Sequence, residues 1–364
     1  MVKTKVDIAV IIINYNSSEY SKSCIASVLE YTSKTLTYEI IVIDNASNLD
    51  DYKALKAFQE DVQINWNAMY AANIGNLNNG KNAIYALYED RNDDKQFTAN
   101  TIFNTELNDN ITLNGSLQYT QLKSENFANV LDLLGGNGYL DVDPFADSFD
   151  GKQNNLLNPL HVAKVGDKFK YNFNLTSNVM SAFSQAQFKY NKVDFYLAGN
   201  VSQTSHQREG LYQSGGFQDN SLGKSPEQSF TNFGAKGGLT YKATGRHLFD
   251  FNAGYITKAP TLRNTFSNSR ENNNVVDNLR SEKMFSADAS YILRSPIVQA
   301  KLTGFYTQIE DATEISFFFA DGIGGDNTAF VQEVLSGISK KHIGAELGIE
   351  AQVTPTIKLK GAAN

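Results

Sequence analysis

The feature that most constrains the fold is a strict two-residue alternation of apolar and polar side chains. Residues 342–353 are the longest example, with six apolar positions separated by polar residues or glycine. The same alternation runs through residues 193–201, 249–255, 284–293 and 298–307. Successive side chains of a β-strand point to opposite faces, so this period predicts strands with one apolar face and excludes helices.

The connections between these strands alternate between short and long. Tight turns are expected at residues 108–110, 190–191, 243–246, 294–296 and 353–356. Long polar stretches lie at residues 123–168, 213–228, 258–278 and 320–327. In an antiparallel meander this places all tight turns at one rim and all large loops at the other. Together with strands of about twenty residues, that asymmetry indicates a transmembrane β-barrel rather than a soluble sandwich.

Composition excludes several other classes. The net charge of −7 argues against a nucleic-acid partner. Cys24 is the only cysteine, so no intramolecular disulfide or thiolate metal cluster can form. The four histidines show no ligand spacing, and no apolar run reaches the roughly 18–20 residues of a membrane helix. We therefore expect no cofactor.

The first sixty residues follow a different pattern. Residues 6–13 and 38–43 are aliphatic runs rich in β-branched side chains, which predicts two parallel strands covered on both faces. An apolar helical stripe lies between them, with Asn16 as the expected N-cap. This β-α-β order places Asn16 and Asp44 at the carboxyl edge of the sheet, where open α/β sheets bind ligands.

The strings VIIINYNSSEY, CIASVLEYTSK and YEIIVIDNAS resemble the start of glycosyltransferase family 2 over about residues 6–60. The resemblance implies nucleotide-binding roles for Tyr15, Asn16 and Asp44. The alternative is that Asp44 and Asn45 simply form a turn. The metal-binding acidic motif and the later general base of that family have no counterpart in a matching context, so we expect no catalysis.

A second resemblance covers about residues 63–364. The strings FDFNAGYITKAPTLRNTFSNSRENN, SADASYILRSP and KLTGFYTQIEDA resemble the barrel of TonB-dependent receptors. The resemblance implies an outer-membrane importer that contacts lipid, is closed by a plug domain and is driven by a periplasmic coupling protein. The plug and its coupling box have no counterpart here, so an internal part of such a receptor is expected.

Two polar loops contain candidate binding residues. Asp141, Asp143 and Asp147, with Asp150 beside them, are candidate calcium ligands, although solvated acidic side chains are the alternative. In the loop at 258–278, a polar substrate is the predicted partner of two arginines and three asparagines: Arg263, Arg270, Asn272, Asn273 and Asn274. A solvated loop is the alternative there as well.

The predicted fold is mainly β. A β-α-β segment ends at residue 62, and a partial antiparallel transmembrane barrel of about 10–12 strands follows it. Two of these strands are expected within residues 63–90. We expect a chimeric or truncated receptor without enzymatic activity; the alternative is a nucleotide-sugar-binding protein. Asp7 interrupts the first apolar run and no cleavage site follows, so no signal peptide is predicted. The barrel indicates the outer membrane, whereas this chain expressed as it stands is expected in the cytoplasm or in aggregates.

Overall fold

The computed structural model describes residues 8–32, 38–61, 64–320 and 329–364. The chain divides into two compact units, Met1–Gly75 and Asn76–Asn364. The first unit therefore ends past the boundary after residue 62 that the sequence suggested.

The first unit contains the predicted β-α-β segment. Its elements are β1 (Ile8–Asn14), α1 (Ser18–Tyr31), β2 (Tyr38–Asp44), α2 (Leu49–Asp61) and α3 (Trp66–Asn78), the last of which extends past Gly75. β1 and β2 pair in parallel. No described helix is long and apolar enough to cross a membrane.

Two details of this unit differ from the prediction. Within the described residues one face of the β1–β2 pair is uncovered, since four isoleucines are 41–69 % exposed: Ile11, Ile13, Ile41 and Ile43. The expected strands within 63–90 are also wrong over residues 66–78, which form a helix. Asn65 caps this helix by accepting a hydrogen bond from the Ala68 amide at 3.0 Å. The helix contains three alanines and only one β-branched residue, Ile74, which favours a helix over a strand.

Within the described residues, the second unit is built around an antiparallel sheet of eleven strands. The strands of this unit are β3 (Leu87–Asn108), β4 (Ile111–Asp132), β5 (Tyr139–Leu140), β6 (Val162–Ala163), β7 (Lys168–Lys189), β8 (Val193–Gly210), β9 (Gly223–Lys224), β10 (Gln228–Lys242), β11 (His247–Lys258), β12 (Glu282–Arg294), β13 (Val298–Ala320), β14 (Ala329–Gln352) and β15 (Lys358–Ala363). The long strands are neighbours in chain order from β3 to β15, β9 pairs only with β8, and β5 and β6 form a separate two-stranded ribbon. The mainly β, antiparallel architecture is therefore confirmed.

The alternation of turns and loops is also observed. Five connections are two to five residues long: 109–110, 190–192, 243–246, 295–297 and 353–357. The long connections between main strands are 133–167, 211–227 and 259–281. The fourth predicted loop, 320–327, lies almost wholly outside the described residues.

One predicted loop begins later than expected. Residues 123–132 belong to β4, where they pair with β3 and β7. Their polar side chains suggested a loop because the alternation of apolar and polar residues stops at this point. Ser124, Asn126, Ala128 and Val130 are instead buried, on the face that the long connections cover.

Candidate functional site

The two faces of the large sheet differ sharply in chemistry. On β11, Phe249, Phe251, Ala253 and Tyr255 share one face, which we call the belt face. Residues paired with β11 on the neighbouring strands continue the belt face. One row across five strands is Leu197, Gly237, Ala253, Ala287 and Tyr306. Many of these side chains are exposed, including Leu197 at 62 %. A broad apolar surface exposed on a well-paired sheet is typical of a wall that contacts lipid.

Aromatic side chains concentrate in two rows that bound the belt face. The turn-side row contains contacting rings on neighbouring strands: Phe188, Phe195, Phe249 and Tyr291. The loop-side row does the same: Phe97, Tyr119, Phe233, Tyr255, Phe285 and Tyr306. On β11 the rows are six residues apart, about 20 Å along the strand. This arrangement matches the aromatic girdles at the two interfaces of a membrane barrel.

The opposite face of the sheet, here the polar face, is connected by hydrogen bonds between strands. Tyr196 donates its hydroxyl to Asn252 Oδ1 at 3.2 Å. The Asn252 amide in turn donates to Asp250 at 2.9 Å and to Asp288 at 3.1 Å. Lys242 pairs with Asp194 at 2.6 Å. This face suits contact with water or with a polar solute.

The three long connections pack together at the loop end of the sheet, forming a layer we call the loop cap (residues 133–167, 211–227 and 259–281). Residues of two of these connections pack with strand residues in one apolar cluster: Ala83, Ala128, Val130, Leu133, Ala163, Phe169, Tyr171, Phe173, Leu175 and Phe266. Phe266 and Thr265 are fully buried. A short helical turn in the 259–281 connection is held against β13 by Asn264, whose amide donates to the Thr313 carbonyl at 2.6 Å.

Arg208 joins two of these connections. Its side chain is 1 % exposed. It donates from Nε to the Ser269 carbonyl at 2.6 Å and from Nη1 to the Ser221 carbonyl at 2.9 Å. Nη1 also donates to Asn273 Oδ1 at 2.7 Å. Burial lowers the pKa of Arg208 to about 10, so the guanidinium stays charged at neutral pH.

Burial also alters the pKa values of other groups in the loop cap. It lowers the pKa of His206 to about 4, so this ring is neutral at pH 7, and its Nδ1 lies 2.8 Å from the Thr265 hydroxyl. Burial raises the pKa of the Glu271 carboxyl, which accepts a hydrogen bond from the Ser214 hydroxyl at 3.2 Å. These side chains tie the connections together.

The predicted substrate-binding residues occupy different positions in this layer. Asn272 and Asn273 are buried within the loop cap. Arg270 lies over the Tyr171 ring at 4.3 Å and 3.8 Å from Asp90. Asn274 Oδ1 accepts a hydrogen bond from the Asn220 side chain at 2.5 Å, and Asn274 is exposed. Arg263 is also exposed. Arg263, Arg270 and Asn274 are therefore the members of the set that a solute can reach.

The predicted calcium ligands do not come together. Asp141 is buried and accepts from Asn154 at 2.7 Å and from the Lys170 amide at 2.9 Å. Asp143 accepts from the Phe145 amide at 2.9 Å. Among the described residues no group of three or more His, Cys, Asp or Glu side chains could hold a metal ion, so Asp147 lacks partners for such a site.

In the first unit, the carboxyl edge of the β1–β2 pair is held by a polar network around Asn14. This buried side chain donates to Asp44 at 2.9 Å, to Ser47 at 3.0 Å and to Asp51 at 2.9 Å. Hydrogen bonds from Ser47 and Asn14 lower the pKa of Asp44. The sequence thus correctly placed Asp44 at this edge, where its carboxylate bonds to the protein.

Nearby, the two other predicted nucleotide-binding residues differ in exposure. Asn16 accepts hydrogen bonds from the amide and side chain of Asn48, both at 2.8 Å. The Tyr15 side chain is 61 % exposed.

A family model for the TonB dependent receptor-like β-barrel matches residues 26–364. The chain belongs to this family. The match begins within α1, so it extends into the first unit, and it does not support the transferase resemblance. No curated protein is significantly similar in sequence to this chain.

Three solved structures of transporters and receptors are similar to this chain. The copper transporter OprC is similar with a TM-score of 0.53 and 12 % identity over 76 % of this chain and 38 % of that one. The FrpB iron transporter from Neisseria meningitidis (F5-1 variant) has a TM-score of 0.45 and 15 % identity over 75 % and 36 % of the two chains. The ferric preacinetobactin receptor BauA from Acinetobacter baumannii has a TM-score of 0.41 and 13 % identity over 76 % and 37 %. The chain thus spans little more than a third of the length of these structures.

Proposed function

We propose that residues 76–364 form part of the wall of a TonB-dependent outer-membrane transporter and carry no enzymatic activity. The observation that carries this proposal is the pairing of an apolar belt face, bounded by two aromatic rows, with a hydrogen-bonded polar face on the same strands. A wall of this kind separates lipid from an aqueous interior. The loop cap lies where extracellular loops are expected, with Arg263, Arg270 and Asn274 accessible to a solute.

The edges of the sheet support a role within a larger wall. Within the described residues, β3 and β15 each pair on one side only. In a membrane, unpaired backbone groups cost several kcal/mol each, so spanning sheets close on themselves. We therefore propose that uptake needs further strands to complete the wall, together with a plug and a periplasmic coupling protein.

Membrane insertion tests this function through a matched pair of lysine substitutions. Leu197 lies on the belt face and Ile102 on the polar face, and both are well exposed, at 62 % and 73 %. Leu197→Lys should weaken insertion by about 2–4 kcal/mol, the cost of a lysine near the bilayer centre, whereas Ile102→Lys should be tolerated. The measurement is recovery in the outer-membrane fraction with heat-modifiable gel mobility. Equal effects of the two substitutions, or a wild-type protein recovered as soluble monomer, would refute the proposal.

The first unit supports a second proposal, nucleotide-sugar binding at the edge formed by Tyr15, Asn16 and Asp44. Two observations favour it: the exposed Tyr15 ring and the carboxylate of Asp44 at the ends of parallel strands. Stabilisation by millimolar UDP-sugar, lost in Asp44→Asn, would support it. No change in melting temperature would exclude a working pocket.

We further propose that the first unit derives from another protein and was joined to the receptor wall. Its parallel α/β pattern differs from the antiparallel meander that follows. Sequencing of the neighbouring DNA tests this idea. A plug and signal sequence directly upstream of the wall in related genomes would support it, and an identical first unit in all of them would refute it.

A further inference from the structure

Two lysines face each other across the first two strands of the sheet. The register pairs Lys95 of β3 directly with Lys123 of β4. Both side chains are exposed and lie on the belt-face side of the strands, in line with Phe97 and Tyr119. Directly opposed residues have Cβ atoms about 4.5–5.5 Å apart, and like charges at that spacing repel each other.

The neighbouring carboxylates do not neutralise this pair. Asp93 and Glu125 form the next rung toward the loop end. Asp93 pairs with Arg91 at 2.9 Å, and Glu125 pairs with Lys168. Arg91 and Lys168 are also held over the Phe127 ring, at 5.3 and 4.0 Å.

The carboxylates of this rung are therefore already committed to other cations. Across the described part of the chain, neither Lys95 nor Lys123 has an ion pair within 4.0 Å. The two ammonium groups thus add two uncompensated positive charges at one place.

The height of the lysines above the belt indicates the partner. Lys95 lies two residues beyond Phe97, and Lys123 lies four residues beyond Tyr119, both toward the loop end. At about 3.3 Å per residue this is about 7–13 Å past the loop-side aromatic row, measured along the strands. Aromatic rows mark the level of the membrane interface, so the lysines lie at the level of lipid headgroups.

We propose that Lys95 and Lys123 together bind a phosphate of an anionic lipid headgroup in the outer leaflet. A phosphate offers several charged acceptors, and each ammonium group can donate to a different oxygen. The anion offsets the repulsion between the lysines, so bound lipid and strand pairing stabilise each other. This inference rests on the proposed membrane position of the sheet.

The test measures lipid binding to the full chain, purified in mild detergent, by native mass spectrometry. The probes are diphosphoryl lipid A and the same lipid without phosphates. The double variant K95Q/K123Q should bind diphosphoryl lipid A more than tenfold more weakly, since a basic residue near a membrane surface contributes about fivefold. The matched control is K301Q, which removes an exposed lysine from the polar face and should bind like the wild type.

A charge reversal separates binding from stability. K95E places a carboxylate opposite Lys123, so it should abolish lipid A binding while raising the melting temperature. Equal binding by wild type and double variant, or an equal loss in K301Q, would overturn the inference. Full competition by 1 mM inorganic phosphate would also overturn it, because the site would then serve a free anion. Heat-modifiable mobility of the same wild-type sample tests the membrane wall independently of lipid binding.

Discussion

Arg208 should control whether the loop cap stays closed. Replacing it with methionine keeps most of the side-chain volume and removes three hydrogen bonds, to Ser269, Ser221 and Asn273. A hydrogen bond to a charged group contributes about 1.5–3 kcal/mol, and breaking a buried charged network costs about 3–5 kcal/mol in total. Since about 1.4 kcal/mol is a factor of ten, local opening should become roughly 10² to 4 × 10³ times more frequent.

Hydrogen exchange by mass spectrometry measures this opening directly. Peptides covering 211–227 and 259–281 should exchange faster by the same factor in Arg208→Met, because opening exposes their amides to water. The Asn273 amide reports on both connections, since it donates to the Asn220 carbonyl. Peptides from β12 should be unchanged. Arg263→Met, which removes an exposed arginine from the same layer, is the control and should exchange like the wild type. Wild-type protection of both connections in Arg208→Met would refute the proposed role.

Three further predictions concern buried positions near this layer. Both amide atoms of buried Asn232 lack a partner within the described structure, so Asn232→Leu should raise stability by about 1–3 kcal/mol in thermal unfolding; a lower melting temperature would show that the amide is needed. The pKa of His206 is about 4 in the folded protein and about 6.5 in the unfolded chain, so between these pH values unfolding takes up a proton. The free energy of unfolding should therefore fall by about 2 kcal/mol from pH 7.5 to pH 5. His206→Gln should remove that part of the pH dependence, and an unchanged pH profile would contradict the assignment. A Cβ at Gly210 would lie 1.7 Å from the Ser221 carbonyl oxygen, so Gly210→Ala should open the loop cap to protease, whereas Gly304→Ala, which has open space, should not.

The belt could be predicted from sequence because its physical cause is local. An apolar face on one side of the sheet and a polar face on the other impose a period of two on each strand, as the alternation at Phe249, Phe251 and Tyr255 shows. The positions of the tight turns could be predicted from the same alternation, because each turn lies between two alternating segments. The family match from residue 26 and the strand order from β3 to β15 agree with that prediction.

The loop cap could not be predicted because its contacts join distant parts of the chain. Arg208 lies at the end of β8 among polar residues, and nothing local shows that Ser269 and Asn273 will cover it. The predicted substrate residue Asn273 is buried for the same reason. The extension of β4 past residue 122 was missed because buried Ser124 and Asn126 look like loop residues until their packing is known.

The central claim is that one face of the sheet contacts lipid, and cysteine-scanning spin labelling of β11 tests it most directly. With Cys24 replaced by serine, labels are placed one at a time at residues 249–255, and collision rates are measured with oxygen and with a water-soluble nickel complex in vesicles. We expect oxygen to dominate at 249, 251, 253 and 255 and the nickel complex to dominate at 250, 252 and 254. Equal accessibility at all seven positions, or nickel access to both faces, would contradict a lipid-contacting wall.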